Sequence, residues 1–229
     1  MAIEHITVCQ NIDTSNEGVG NLIFTPLLQA YDWAEGSEVT GSGLSAIGKY
    51  YFDSECYFTL RPANLNYGLI VTIFCGGTSK EFELGIDQTG LHYTAGVGKT
   101  DKAVGVCIGY QESNGSGTTN PRSYNILYGN ILDIDGISSK AIIFTNENTY
   151  SNSDNGYTII SSKGASNEAV FKSVIDSTRK GYLIPVTDST FGGIFKDIYM
   201  MACAPIQFNK MKVADKKYLC GKAFCLADE

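Results

Sequence analysis

Hydrophobic and polar positions alternate along residues 50–60, and an almost uninterrupted apolar run follows at residues 69–74. In the first segment, aromatic and aliphatic side chains such as Tyr50 and Phe58 fall on one face, while Asp53 and Glu55 fall on the other. This period of two predicts one half-buried antiparallel strand. The second segment has no polar face, which predicts a strand in the middle of a core, covered on both sides.

Further apolar or alternating segments recur about every ten residues and are separated by Gly, Asn, Asp and Ser. They lie at residues 3–8, 81–87, 91–93, 103–110, 124–134, 141–145, 157–161, 182–186 and 195–203, with a hairpin-like stretch at 210–226. Short strands at this spacing are typical of sandwiches and barrels. The sequence therefore predicts a mainly β protein, an antiparallel, jelly-roll-like β-sandwich.

One helix is predicted at about residues 167–180, in the C-terminal third of the chain. Ser166 is a suitable N-cap and Glu168 lies in the first turn. An apolar stripe runs from Val170 to Ile175, and Arg179 precedes a glycine that would end the helix. We expect this helix to pack on the sandwich.

Residues 1–40 are expected to form an N-terminal arm with an apolar anchor, and residues 41–229 to form the sandwich domain. The boundary is placed in the Gly- and Ser-rich stretch at residues 35–48. The anchor either packs on the sandwich or docks on a neighbouring subunit. Its candidate interface residues are Leu22, Phe24, Leu27, Leu28, Tyr31 and Trp33.

The composition is that of a folded protein, with 43% hydrophobic, 11% aromatic and 18% charged residues. The net charge of −7 without a basic stripe argues against direct binding of nucleic acid. No apolar run approaches the roughly 20 residues that cross a bilayer, and no secretion signal is recognised, so we expect synthesis in a cytoplasm and no membrane partner.

The seven cysteines are expected to be reduced, with Cys220 and Cys225 facing the core or each other in a hairpin.

Four patterns could carry chemistry, and each has a simpler interpretation. Residues 95–100 resemble the end of a phosphate-binding loop, but the first glycine of that motif is replaced by Tyr93. Asp133 and Asp135 could bind calcium, although an Asp-Gly turn explains them. The pairs Asp53/Glu55 and Glu81/Glu83 could serve a glycosidase, and the same-strand spacing also suits a solvated face. The two histidines, His5 and His92, lie in no recognisable motif. We therefore assign no catalytic, cofactor-binding or metal-binding residue and expect a protein that is not an enzyme.

Two resemblances extend this interpretation. Residues 50–93, with Phe82-Glu83-Leu84-Gly85-Ile86-Asp87 and Gln88-Thr89-Gly90-Leu91, resemble concanavalin-like jelly-roll domains, which include glycan-binding modules. The C-terminal segments Phe195-Lys196-Asp197-Ile198-Tyr199-Met200-Met201-Ala202-Cys203-Ala204-Pro205 and Lys217-Tyr218-Leu219-Cys220-Gly221-Lys222-Ala223-Phe224-Cys225-Leu226 are similar in style to the ends of small virion proteins of tailed bacteriophages. No residue roles follow from either resemblance.

Three functional hypotheses remain open at this point. The first is a non-enzymatic structural component of a bacteriophage particle, located in the virion as a capsid decoration, tail or baseplate-associated protein, that forms homo-oligomers or docks on other virion proteins. The second is a carbohydrate-binding sandwich that binds a surface glycan, for which the 14 tyrosines would supply stacking surface, although ordinary strand composition also explains them. The third is a glycosidase that uses a strand carboxylate pair.

Overall fold

The computed structural model describes residues 2–4, 23–63, 68–84, 91–112, 122–148, 156–169, 183–201, 209–221 and 224–228. In these residues the chain forms two antiparallel sheets, a short α-helix, α1 (Thr25–Gln29), and a single 3-10 turn, Gly43–Ser45. The predicted antiparallel β-sandwich is confirmed.

The smaller sheet is a five-stranded meander whose strands follow one another in chain order. Its strands are β2 (Glu38–Thr40), β3 (Ile47–Tyr51), β4 (Cys56–Pro62), β5 (Leu69–Cys75) and β6 (Thr78–Leu84). One face of β4 is buried at every second residue, as the alternation in its sequence predicts.

The larger sheet has twelve strands. They are β1 (Ala2–Glu4), β7 (Leu91–Lys99), β8 (Val104–Glu112), β9 (Arg122–Asp133), β10 (Ser138–Asn148), β11 (Gly156–Ser161), β12 (Gly164–Ala169), β13 (Leu183–Asp188), β14 (Gly193–Met201), β15 (Asn209–Val213), β16 (Lys216–Gly221) and β17 (Phe224–Ala227).

Strand β9 is the branch point of this sheet. One edge of β9 pairs with β10 from Arg122 to Leu132, while its other edge pairs first with β8 and then, from Ile131 to Asp133, with β14. Strand β14 also pairs with β13 and β17, and β16 and β15 follow from β17. These five strands form a layer, the back layer, that packs over the strands around β9. The protein therefore has a central layer around β8–β11 with another layer of strands on each side.

Two hydrophobic cores separate these layers. The first lies between the five-stranded sheet and one face of the central strands, and it contains Phe58 and Ile73 from one side and Ile126 from the other. The second lies between the opposite face of the central strands and β13–β17, and it joins Leu127 to Phe195. Consecutive residues of β9 thus serve different cores, because successive side chains of a strand point to opposite faces.

Two glycines allow the back layer to approach the central strands closely. A Cβ atom on Gly105 would lie 3.0 Å from a ring carbon of Phe224, and one on Gly129 would lie 2.9 Å from the Cδ1 atom of Ile198. Both distances are at or below the limit of ordinary contacts. A side chain at Gly105 would thus press on the Phe224 ring, and one at Gly129 would require the end of the Ile198 side chain to move.

The segment that begins at Ile23 packs on the first core of its own chain. The hydroxyl of Tyr50 donates a hydrogen bond of 2.9 Å to the carbonyl of Phe24, and the indole Nε1 of Trp33 donates one of 3.0 Å to the carbonyl of Leu27. Strand β2 is the edge strand of the five-stranded sheet. Residues 23–40 thus pack on the sandwich, which is one of the two arrangements expected for the anchor; residues 5–22 lie outside the described residues, and the domain boundary near residue 40 stays a prediction.

Two predictions about the organising strands were wrong. Residues 50–60 form two strands, because Oδ1 of Asp53 accepts hydrogen bonds from the backbone N–H groups of Glu55 and Cys56 and thereby closes a turn. Strand β5 is fully buried on one face, whereas its other face has a buried Ile70 but leaves Thr72 and Phe74 partly exposed. The strands that are covered on both sides are those around β9.

The start of the predicted helix was also wrong. Ser166 and the residues up to Ala169 belong to β12, where they pair with β11. The short segment is stabilised as a hairpin strand, which local helix propensity does not anticipate. The remaining positions of the predicted helix, residues 170–180, lie outside the described residues.

The cysteines differ from the expectation of reduced thiols. Cys56 pairs with Cys75 across β4 and β5, Cys220 pairs with Cys225 across β16 and β17, and both pairs are disulfides. All four side chains are buried. Of the two arrangements expected for Cys220 and Cys225, the structure has the one in which they face each other in a hairpin.

Candidate binding surfaces

The predicted interface residues lie mainly inside the chain's own core. Phe24 and Leu27 are fully buried, so they are not accessible to a partner. Leu28, Tyr31 and Trp33 are partly buried against the same core, and the Trp33 ring lies 5.2 Å from the Tyr50 ring and 5.7 Å from the Phe58 ring. Intramolecular packing therefore accounts for Phe24 and Leu27. A subunit contact at Leu28, Tyr31 and Trp33 stays a prediction, and Leu22 lies outside the described residues.

Among the candidate glycosidase acids, Asp53 has a structural role in the turn between β3 and β4. Asp53 accepts hydrogen bonds from two backbone N–H groups and one of 2.5 Å from the hydroxyl of Tyr128. This bond ties the β3–β4 turn to the central strand β9. Glu81 and Glu83 are exposed on β6, the edge strand of the smaller sheet.

The remaining candidate motifs are local backbone structures. Residues 95–99 lie within β7, and the Thr100 hydroxyl accepts a hydrogen bond of 3.2 Å from the N–H of Ala103 in the turn to β8. Oδ1 of Asp133 accepts hydrogen bonds from the N–H groups of Asp135 and Ile137, as expected for an Asp-Gly turn. His92 lies in β7 opposite Gln111, while His5 lies outside the described residues.

Three exposed isoleucines form an apolar tip at one end of the larger sheet. Ile134 and Ile137 lie in the turn between β9 and β10, with 82% and 63% of their surface exposed, and Ile194 at the start of β14 is 40% exposed. Ile194 pairs with Leu132 of β9, which places it beside that turn. We call Ile134, Ile137 and Ile194 the isoleucine tip. An isoleucine that is four-fifths exposed at the end of a hairpin gains nothing from the chain's own core.

A small polar depression lies next to the isoleucine tip. The Lys163 ammonium lies 3.2 Å from Oδ2 of Asp133 in this depression, and Asp188 and Ser161 are buried in its wall. The N–H of Ile137 and the charge of Lys163 lower the pKa of Asp133. Because Lys163 already occupies the space beside the Asp133 carboxylate, the depression is poorly suited to bind a cation. Within the described residues, no group of three or more His, Cys, Asp or Glu side chains could hold a metal ion.

The solvent-facing side of the five-stranded sheet carries a row of aromatic rings. Tyr51, Tyr57 and Phe74 are neighbours on adjacent strands, and the sheet register continues the row to Ser79. The Tyr57 and Phe74 rings stack with centroids 4.4 Å apart and an angle of 9° between their planes, and Tyr51 packs on Tyr57 at 4.4 Å. All three side chains are partly exposed.

A polar row runs beside the aromatic one. Register places Lys49, Thr59, Thr72 and Glu81 next to each other across β3–β6. The Lys49 ammonium lies 4.7 Å and 4.9 Å from the Tyr51 and Tyr57 ring centroids. A hydrogen bond with Tyr51 raises the pKa of Lys49, which favours its cationic form. We call the aromatic and polar rows together the outer face.

Sequence reasoning missed both surfaces for different reasons. The isoleucine tip was not predicted because residues 124–134 were interpreted as one apolar strand, which placed Ile134 in a strand and not in the exposed turn after it. The outer face was not predicted because its rings come from three different strands. The sequence of one strand does not show which of its residues lie beside those of the next. The usable signal was the alternation of Tyr51, Tyr57 and Phe74 with buried residues.

No protein-family model, no curated protein and no solved structure matches this chain. In the part of the chain that the structure describes, no helix is long and apolar enough to cross a membrane.

Proposed function

We propose that this chain is a non-enzymatic structural component of a bacteriophage particle, which is incorporated in the virion by docking on other virion proteins. The observation that supports this proposal is the isoleucine tip. Three of the five large apolar side chains that are exposed in the described residues are gathered at one end of the sandwich. Burial of an isoleucine in an interface contributes about 2 kcal/mol, so two or three of them could anchor a partner.

The shape of the tip favours insertion into a groove of the partner. Ile134 and Ile137 project from a tight turn that is fixed by hydrogen bonds to the Asp133 carboxylate. A pre-formed turn loses little conformational freedom on binding. Asp135, exposed between the two isoleucines, would suit a basic residue at the rim of such a groove.

The similarity in style to virion proteins adds a second line of support. The described residues that carry it, 195–201, 217–221 and 224–226, lie in β14, β16 and β17, which belong to the back layer of the sandwich. Strand β14 carries Ile194 of the isoleucine tip at its start. The proposed docking site is therefore continuous with the strand on which that similarity rests.

The test is incorporation into particles. Phage particles are purified from a lysate of cells that carry the gene, and the chain is quantified by mass spectrometry. We expect the parent chain to be present at a fixed ratio to the other virion proteins, and the double variant Ile134→Ser/Ile137→Ser to be lost from the particles. The matched control is Leu44→Ser/Ile47→Ser, which removes two exposed apolar side chains from the β2–β3 region and should be incorporated normally.

Two results would contradict the proposal. If the parent chain is absent from purified particles, the structural role is wrong. If both double variants are incorporated equally, the isoleucine tip is not the docking site.

Light scattering of the purified parent chain and its tip variant shows whether the partner is another virion protein or a second copy of this chain. Loss of an oligomer in the variant would identify the partner as a second copy. Truncations for this purpose must end before Ile23, because Phe24 and Leu27 belong to the core.

A further inference from the structure

The outer face has the layout of a shallow trough. Its middle row contains the short side chains of Thr59 and Thr72. Bulkier side chains border this row, with Tyr57 and Phe74 on one side and the Arg61–Ile70 pair on the other. Neighbouring strands lie about 4.8 Å apart, so the row from Lys49 to Glu81 spans about 14 Å across four strands. The trough is therefore elongated and has hydroxyl groups on its floor.

The aromatic row ends in an open position. One side of the Phe74 ring is covered by Tyr57, while the neighbour on its other side is Ser79 of β6, which is exposed and too small to cover a ring. A flat ligand could occupy the space above Ser79 and continue the stack on Phe74. Sugar rings present C–H groups on their faces and hydroxyls at their edges, so they suit an aromatic surface that is bordered by polar groups.

The polar groups next to this position are already arranged in pairs. Oε2 of Glu81 lies 3.3 Å from Nη2 of Arg61 and 3.4 Å from Oγ1 of Thr72. Such groups both donate and accept hydrogen bonds, which matches neighbouring hydroxyls of a sugar. The charges also restrict the class of ligand. Lys49 and Arg61 are matched on this side of the sheet by Glu38, Glu81 and Glu83, so the outer face has no positive surplus for an anionic ligand.

We infer that the outer face of the five-stranded sheet binds a neutral saccharide, with a pyranose ring stacked on Phe74 above Ser79 and its hydroxyls bound by Thr72, Glu81 and Arg61. Thr59 and Tyr57 would contact the neighbouring sugar units. This site lies on other strands than the isoleucine tip. Its existence therefore does not depend on the proposed docking function, and a particle protein could use both surfaces at once.

The test is affinity electrophoresis of the full chain in native gels that contain a neutral polysaccharide. Separate gels contain a β-glucan, a mannan or a galactan, and a gel with polygalacturonate tests an acidic polymer. We expect at least one neutral polysaccharide to retard the parent chain. Phe74→Ser should weaken the retardation about tenfold, because loss of one stacking contact of about 1.4 kcal/mol corresponds to that factor.

Ser79→Leu provides a second variant that removes no contact of the fold. It fills the proposed sugar position and should abolish the retardation even if Phe74→Ser disturbs the ring stack. Ile194→Ser at the isoleucine tip is the control and should bind as the parent does. The inference is overturned if no neutral polysaccharide retards the chain, if Ser79→Leu binds as well as the parent, or if only polygalacturonate is effective. Because particle incorporation is measured separately, failure of one proposal is distinguishable from failure of the other.

Discussion

Strands β5 and β9 show two different ways of placing apolar side chains in this protein. Strand β5 buries Leu69, Val71 and Ile73 in the first core, while Thr72 and Phe74 on its other face are partly exposed. Strand β9 is buried on both faces, with Ile126 in the first core and Leu127 in the second. The strand with the longer apolar run is thus the one with the exposed face.

The polar residues of the two strands explain this inversion. Asn125 of β9 is fully buried, and its Nδ2 donates a hydrogen bond of 2.8 Å to Oγ1 of Thr145 on β10. A cross-strand pair of this kind allows polar side chains in a strand that is covered on both sides. Apolar residues on the exposed face of β5 instead pack on neighbours in the same sheet, as Phe74 does on Tyr57. Burial therefore follows from the layers that pack on a strand and not from the length of its apolar run.

The largest expected loss of stability comes from truncating one apolar side chain in each strand. Leu127→Ala should reduce the free energy of unfolding by about 3 kcal/mol, because the side chain is fully buried between the central strands and the back layer. Phe74→Ala should cost only about 1 kcal/mol, since its partly exposed ring loses mainly the stack on Tyr57. Urea unfolding of both variants measures the difference. Equal losses would show that β5 is covered by a further layer.

An intermediate effect is expected for the buried polar pair. Thr145→Val should cost about 2 kcal/mol, because it removes the hydrogen-bond acceptor of the Asn125 amide in a buried position. The double variant Asn125→Leu/Thr145→Val should recover part of this loss, since it removes both partners. The matched control is Thr72→Val on the outer face, for which we expect a change within about 0.5 kcal/mol. A double variant that is no more stable than Thr145→Val alone would contradict the prediction.

The contrast between β5 and β9 also indicates how much of the structure is predictable from the sequence. The existence of most strands follows from local alternation, and so does the antiparallel sandwich. The segment predicted at residues 195–203, for example, corresponds to β14 (Gly193–Met201). Turns within an alternating segment were missed when a single side chain closes them, as Asp53 does. The branch at β9 depends on pairing with β14, about 60 residues further along the chain, and no local pattern encodes it.

The same limit applies to the two candidate surfaces. The tyrosines were recognised as a possible sugar-binding feature, but only the register shows that Tyr51, Tyr57 and Phe74 are neighbours. The anchor at Trp33 was recognised as apolar, but its hydrogen bond to the carbonyl of Leu27 belongs to the tertiary structure. Local sequence identifies the residue types, and non-local pairing decides which of them meet.

The smallest expected effect is a loss of stability in alkali, to which both sheets contribute. Burial raises the pKa of Tyr50 in the five-stranded sheet well above its usual value. Burial and the hydrogen bond to Asp53 likewise raise the pKa of Tyr128 in β9. In the unfolded chain, tyrosines ionise near pH 10. Above that pH the unfolded state has lost protons that the folded state retains, so the free energy of unfolding falls as pH rises. The stabilisation is complete below about pH 10 and is lost as the pH rises towards the folded-state pKa values.

Single variants divide this alkaline effect between the two sheets. Tyr50→Phe should cost about 1 kcal/mol at pH 7, because the carbonyl of Phe24 loses its donor, and it should also make the fall of stability above pH 10 less steep. Tyr128→Phe should reduce the slope in the same direction, since Tyr128 bonds Asp53 from the other sheet. Urea unfolding at pH 8 to 11 measures both slopes. If either variant has the slope of the parent chain, its hydroxyl is accessible to water in the folded protein, and the first core does not close over the contact between the two sheets.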